Sequence, residues 1–263
     1  MRTLVVIPTY QEAPNVATVV TRVRRVLPAA DVLVVDDASP DGTADLAEAV
    51  GKELGQVEVL RRPGRDGFGR ACRAGWTWAL DRGYEAVVSM DADGSHDAGA
   101  LPSLLEPLAS GADLVLGSRY IPGGSVPGWG VHRRWLSQGG NRYAGLVLGL
   151  PVHDATGGFR AYRADLLRQV GLSTLRAEGY GFQIELIHRS VRLGAQLVEV
   201  PITFVDRTLG TSKMSAGIIW EALGLVTWWA VRDRVAGRRR AARSVGPGPI
   251  EERSERRSDG RRQ

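Results

Sequence analysis

Short apolar runs alternate with amphipathic stretches through the first half of the chain. Thr3–Pro8, Asp31–Asp37, Val57–Arg61, Ala86–Asp91 and Asp113–Ser118 are rich in β-branched residues and bounded by turn formers, and they predict strands. Val16–Leu27, Thr43–Leu54, Arg70–Arg82 and Ala100–Ala109 lie between them and are long enough for helices. Near-continuous apolar strands that alternate with helices imply an α/β fold with a mostly parallel central sheet covered on both faces. Ile121–Gly130, with two prolines and four glycines, reads as a loop. Arg133–Leu150 reads as a helix, Pro151–Tyr162 as a turn-rich segment, Tyr180–Leu193 as an amphipathic helix and Gln196–Val205 as a closing strand. Gly217–Val235 predicts a last, tryptophan-containing helix.

Composition narrows the picture in three ways. The 263 residues suffice for one large domain with a full core. The net charge of +5 is confined to the end of the chain: from Gly237 to Gln263 nine arginines face four acidic residues. The body is therefore neutral and carries no charge-level sign of a nucleic-acid partner, and the arginine-, serine- and glycine-rich end predicts a disordered tail. Cys72 is the single cysteine, which excludes a disulfide framework and fits a reducing compartment and a small core residue. No segment reads as a signal peptide or as a spanning run of about 18 apolar residues. Lys52 and Lys213 are the only lysines, a genomic composition bias of the kind GC-rich bacteria show.

Ligands of parallel α/β sheets bind at the carboxyl ends of the strands, and four of the five predicted strands end in residues fit for chemistry. These are Tyr10 and Glu12, Asp36 and Asp37, Asp91 and Asp93, and Ser118 and Arg119. In an extended chain Asp91 and Asp93 point the same way. Paired carboxylates without a nearby cysteine suit Mg²⁺ or Mn²⁺ bridging phosphate oxygens; a polar strand-end loop that caps the next helix is the competing reading. Tyr10 can stack on a base, and the carboxylates of the first two strands can accept from a ribose or a base. Ser39-Pro40-Asp41-Gly42 is equally a good turn and Thr43 a good helix N-cap. Gly64–Arg70 precedes a helix and can cradle phosphate, with Arg65 or Arg70 adding charge. It is not a Walker A loop, and the first strand does not lead into G-x-G-x-x-G, which argues against a nicotinamide dehydrogenase. Arg119 is a candidate phosphate or sugar clamp, and Arg207 and Lys213 lie in a glycine-containing loop suited to an anion.

Taken in order, P-T-Y-x-E, V-D-D-x-S-P-D-G-T, M-D-A-D-G-S-H, G-S-R-Y, D-A-T-G-G-F-R-A-Y and E-V-P-I-T-F-V-D-R-x-x-G-x-S-K-M resemble family 2 glycosyltransferases of the GT-A fold. More narrowly they resemble the polyprenol-phosphate (dolichol-phosphate) mannose synthase group, from about Arg2 to about Trp229. The resemblance implies that Pro8, Tyr10, Glu12, Val35 and Asp37 line a guanosine and ribose pocket. It implies that Asp91, Ala92, Asp93 and Ser95 lie where metal and donor diphosphate bind, that Gln183 is near the sugar, and that Arg119, Arg207 and Lys213 contact phosphates. Relatives often show K-x-G-L-G where this chain has Arg65-Asp66-Gly67-Phe68-Gly69, which leaves Arg65 as the cation there. His96 reads as a helix-start or packing residue.

The activity so implied is inverting transfer of mannose from GDP-mannose to polyprenyl monophosphate. Asp91, Asp93, Arg119, Arg207 and Lys213 would form the charge-handling set, helped by a divalent cation. Other donors such as UDP-glucose, a hydroxyl acceptor, and a non-catalytic nucleotide-sugar binder stay open. The expected layout is a catalytic domain over residues 1–213, an amphipathic helix over 214–236 and a basic tail over 237–263. Tryptophans of Gly217–Val235 suit a lipid headgroup region and the arginines an anionic membrane; a core helix is the equal alternative. Arg133–Leu150 can also cradle the lipid. The expected place is the cytoplasmic face of the plasma membrane, peripherally, with room for a separate membrane-anchoring protein.

Overall fold

The computed structural model describes residues 1–206 and 223–235. Among the described residues seven strands form one sheet in the order β3-β2-β1-β4-β6-β5-β7. These are β1 (Thr3–Thr9), β2 (Asp31–Asp36), β3 (Val57–Arg61), β4 (Ala86–Ser89), β5 (Leu114–Ser118), β6 (Arg160–Arg163) and β7 (Leu197–Pro201). The helices are α1 (Ala13–Val26), α2 (Thr43–Leu54), α3 (Phe68–Asp81), α4 (Leu101–Ala109), α5 (Val131–Leu148), α6 (Ala164–Val170) and α7 (Gly179–Arg192). A further helix, α8, covers 223–235.

The expected mostly parallel sheet is present: β1 pairs in parallel with β2 and β4, β2 with β3, and β5 with β7. Successive side chains leave a strand on opposite faces, so each strand feeds two cores. Val5, Ile7, Val32, Val34, Val88 and Val115 meet Val16, Val20 and Val23 of α1 and Leu101, Leu104 and Leu108 of α4. Leu4, Val6, Leu33, Val35, Val87 and Leu116 meet Cys72 and Trp76 of α3 and Phe182 and Leu186 of α7. Cys72 is fully buried, as a core residue should be. Gly75 lets α3 lie close to the sheet, since a Cβ there would fall 2.5 Å from Val6 Cγ1 and 3.0 Å from Val35 Cγ2. Gly75→Ala is therefore expected to destabilise the domain by about 1–2 kcal/mol in a urea titration, overpacking outweighing the gain in helix propensity.

Two elements of the sheet's second half depart from expectation. The turn-rich Pro151–Tyr162 ends in β6, which runs antiparallel to both β4 and β5, with Arg160 opposite Ser89 and Leu116. Helix α6 follows it directly. Because β6 is antiparallel, its first residue sits at the carboxyl ends of its neighbours, and the segment 154–158 is delivered to the same edge as the ends of β4 and β5. Thr43 is the first residue of α2 and its hydroxyl donates to Asp41 Oδ1 at 2.6 Å, while Gly42 with φ 81° holds the N-cap position. The expected Thr43 cap is thus corrected to a turn contact. Arg207, Lys213, the expected boundary at 213/214, the start of the last helix and the tail lie outside the described residues.

Candidate active site

The carboxyl edge of the sheet collects those predicted groups that lie among the described residues, in three clusters. At β1 and β2 most carboxylates are committed to building loops. Asp36 accepts from the Thr9 hydroxyl at 2.9 Å, from the Ser39 amide at 2.8 Å and from its hydroxyl at 2.6 Å. Asp37, also buried, pairs with Arg62 and accepts from the amides of Asp66 and Gly67 at 3.3 and 3.1 Å. Burial opposes ionisation of Asp41, but the Thr43 hydroxyl and the amides of Ala13 and Thr43 hold its carboxyl below the usual range. Glu12 Oε2 accepts from Asn15 Nδ2 at 2.9 Å, and the Glu12 amide donates to Thr43 Oγ1. The Val35 side chain is in the core, so only its main chain faces this edge, beside half-buried Pro8.

Tyr10 and Arg65 are brought together, with the guanidinium 4.2 Å over the ring, so that aromatic and cation form one wall. The phosphate cradle expected of Gly64–Arg70 is occupied from within: Gly69 at the start of α3 donates to Glu178 Oε2 at 3.0 Å, and a Cβ at Gly69 would lie 2.7 Å from that oxygen. Arg70 faces Asp66 and Glu178, each at 3.9 Å.

The second cluster follows β4. Asp91-Ala92-Asp93 sits in a bend beyond the strand end rather than in extended chain, so the i, i+2 argument does not set its geometry. Local hydrogen bonds set it instead. The Asp91 amide donates to His96 Nδ1 at 3.1 Å, which places the ring proton on Nε2, 3.9 Å from Asp91 Oδ2. Burial pushes the His96 imidazole below its ordinary value and keeps it neutral. Phe159 stacks on that ring at 4.9 Å, so the expected packing role of His96 is joined to one of holding Asp91. Asp93 Oδ1 accepts from the Ser95 amide at 3.0 Å and its hydroxyl at 2.5 Å. Gly158 opens space beside Asp91: a Cβ there would stand 3.5 Å from Asp91 Oδ1 and 3.7 Å from Gln183 Nε2. Gln183 is buried, and its Oε1 has no hydrogen-bond partner among the described residues. No group of three or more His, Cys, Asp or Glu side chains able to hold a metal occurs among the described residues. The Asp91 carboxylate, with open space beside it and Asp93 two residues away, fits a hard cation that takes its other ligands from diphosphate oxygens and water.

The third cluster follows β5. Arg119 is buried and grips Asp154 through Nε–Oδ2 and Nη2–Oδ1, both 2.7 Å, while Nη2 also reaches Thr156 Oγ1 at 2.9 Å. Rings of Tyr120, Trp129 and Phe204 surround the guanidinium at 5.2, 5.6 and 5.4 Å. Burial, the largest single influence, disfavours both charges, but hydrogen bonds and charge attraction between the pair together outweigh it, lowering the Asp154 carboxyl and raising the Arg119 guanidinium. Two of the guanidinium nitrogens, Nε and Nη2, are thus engaged by described residues. Beside Thr156 an apolar cavity opens between α5, α7 and α8. Leu136, Tyr143, Ile184, Leu223 and Val226 form its body, and Arg133, Ser137 and Thr156 its polar end. Arg133 lies 4.0 Å over Trp129 and pairs with Asp206.

Helix α8 completes that cavity. Val226, Trp229 and Ala230 are buried, Asp233 accepts from Arg192 at 2.5 Å and meets His188 Nε2 at 2.8 Å, and Trp229 stacks on His188. Asp154, Glu178, Arg133 and Trp129 escaped the sequence reading. The D-A-T-G-G-F-R motif contained the signal for Asp154, since a carboxylate is the usual partner of a buried arginine such as Arg119.

Comparison with known proteins agrees with this architecture. The profile of glycosyl transferase family 2 matches residues 4–171. An undecaprenyl-phosphate mannosyltransferase of Micrococcus luteus is 50% identical over 239 residues, 91% of this chain and 98% of that one. A polyprenol monophosphomannose synthase of Mycolicibacterium smegmatis is 47% identical over 235 residues, 89% of each chain. Among solved structures, a mannosyltransferase from Pyrobaculum calidifontis with GDP-Man and Mn²⁺ superposes with a TM-score of 0.56 at 18% identity, over 94% of this chain and 76% of that one. Glucosyl-3-phosphoglycerate synthase from Mycobacterium tuberculosis does so with 0.59 at 21% identity, over 88% and 77%. At these identities the structures speak for the fold alone. Profile, relatives and sheet topology together lead to one conclusion: the chain is a glycosyltransferase with the GT-A fold and belongs to glycosyl transferase family 2.

Proposed function

We propose that the chain transfers mannose from GDP-mannose to polyprenyl monophosphate, with inversion at the anomeric carbon, releasing GDP. One observation carries this reading beyond the relatives' names. An apolar cavity with a polar end at Arg133, Ser137 and Thr156 abuts the Arg119–Asp154 pair, and the same edge of the sheet carries Asp91 and Gln183. A lipid tail with a phosphate head matches the first; a nucleotide sugar matches the second, with Tyr10 and Arg65 as the wall for its base.

A phosphate monoester has a second pKa of about 6 and is already a nucleophilic dianion near neutrality, so no general base is required. The protein's work is to orient two anions and screen their repulsion. Arg119 would meet the acceptor phosphate, and Arg207 and Lys213 would add charge. Asp91 and Asp93 would hold the divalent cation, Mg²⁺ or Mn²⁺, which when bound neutralises charge on the departing diphosphate. Gln183 would orient the sugar.

Among the described residues no helix is long and apolar enough to cross a membrane. Val131, Trp135 and Leu146 of α5 and Trp228 and Val231 of α8 are nevertheless exposed, and they support a peripheral contact with an anionic bilayer at the cytoplasmic face. A separate anchoring protein would use the same surface.

The test is metal-dependent transfer of radiolabelled mannose from GDP-mannose into a polyprenyl-phosphate lipid fraction, with UDP-glucose as the competing donor. Label entering lipid only from UDP-glucose would replace the donor, and metal-dependent binding without product would leave a nucleotide-sugar sensor. Gly140 offers a finer check of the cavity, because open space lies where its Cβ would be. Gly140→Leu is expected to raise the KM for polyprenyl phosphate about tenfold while leaving the donor KM unchanged, the obstruction costing roughly 1.4 kcal/mol of binding.

A further inference from the structure

Arg160 begins β6 at the carboxyl edge of the sheet and is completely buried. Its Nη1 donates to the Gln183 carbonyl at 2.9 Å and its Nη2 to the Ala155 carbonyl at 2.8 Å. Its Nε and the hydroxyl of Tyr162, two residues along the same strand face, are buried and make no hydrogen bond of ordinary geometry with a described residue, although the two groups lie close enough to interact with each other. No carboxylate forms an ion pair with it among the described residues. Asp154, the buried carboxylate of this region, gives both oxygens to Arg119. Two buried guanidinium groups therefore share one buried carboxylate, and one positive charge remains beneath the cleft.

Such a charge is expensive to bury, and an arginine does not escape the cost by losing its proton. A methionine would fill the same core position without it. The two carbonyls that Arg160 holds belong to opposite walls. Ala155 precedes Thr156, which touches Arg119 on the acceptor side; Gln183 stands beside Asp91 on the donor side. We propose that Arg160 is a positioning residue that fixes the spacing of these walls and supplies the buried positive charge against which the donor diphosphate and the acceptor phosphate are brought together. This rests on the donor and acceptor reading above. A buried charge acts over longer range than an exposed one because counterions screen it less.

Affinity measured as a function of ligand charge tests the idea. The full chain, Arg160→Lys and Arg160→Met are titrated calorimetrically with GDP, GMP and guanosine, and with UDP, UMP and uridine, in the presence of Mg²⁺. The wild-type series judges the donor reading by itself: tighter binding of uridine nucleotides would change the nucleotide, and the charge comparison then runs on that series. Arg160→Met is expected to weaken the diphosphate about tenfold, the monophosphate less and the nucleoside not at all, the size of one unit charge at roughly 10 Å in a protein interior. Arg160→Lys should stay within about threefold of wild type on the same scale. Equal weakening of all three ligands, no weakening, or a lysine variant as poor as the methionine variant would each overturn the proposal. Should Arg160→Met fail to fold, the wild-type chain at about 1 M salt decides, where exposed arginines are screened. The diphosphate should keep most of its advantage over the nucleoside, and loss of that advantage would refute a buried source.

Discussion

Asp91→Asn is expected to lower kcat by about 10²–10³, the range seen when one electrostatic stabiliser of a developing charge is removed, and to raise the half-saturating Mn²⁺ concentration. Asparagine keeps the shape of the side chain, so the bend built on the Asp91 amide and His96 Nδ1 should persist. The loss would be one of charge. Donor KM should change less than kcat, because the carboxylate matters most as the diphosphate departs. Single-turnover transfer across a Mn²⁺ series measures both quantities. Unchanged kcat with unchanged metal dependence would remove Asp91 from the reaction. Asp93→Asn should show the same pattern with an added loss of order, since Asp93 Oδ1 also holds Ser95.

Asp154→Ala is expected to cost about 3–5 kcal/mol of folding stability, because it strands a buried guanidinium. It removes five contacts at once: Nε and Nη2 of Arg119, the amides of Arg119 and Gly157, and the Thr156 hydroxyl. It would also leave two buried arginines facing each other without a counter-charge. The pH dependence follows from the lowered Asp154 pKa. A carboxyl whose folded value lies below its unfolded value of about 3.9 stabilises the protein fully above that value, and the contribution fades as pH falls through the folded one. Wild type should therefore lose stability steeply below about pH 4, and Asp154→Ala should show a shallower acid limb from a lower plateau. Urea titrations at a series of pH values would show it, and parallel acid limbs would contradict the assignment.

The sequence made most of the architecture legible because strands buried on both faces leave unbroken apolar runs, such as Leu4–Ile7 and Val32–Val35, that few other structures produce. It hid β6 because Arg160-Ala161-Tyr162-Arg163 is four residues long and begins and ends on arginine, with neither a run nor an alternation to mark it. The candidate site was legible as positions but not as pairings. Tyr10 and Arg65 were both named, yet their stacking joins residues on separate loops. Arg119 read as an available clamp because its partner, Asp154, lies 35 residues away. Asp91 and Asp93 read as an extended pair, whereas Ser95 and His96 fold them into a bend. Pairings of this kind depend on tertiary closure, which no local pattern encodes.

The placement of β6 also governs the order in which the sheet can form. β4 and β5 do not bond to each other; each bonds to β6, which leaves the ribosome more than forty residues after β5 has been made. Until then both carry an unpaired edge, and premature pairing of β4 with β5 would shut out the strand that belongs between them. Closing so distant a contact is slow, and open apolar edges invite association with other chains. The nascent chain thus passes through an interval in which its first half can be complete while its other half waits, and yield on expression should respond most to whatever shortens that interval.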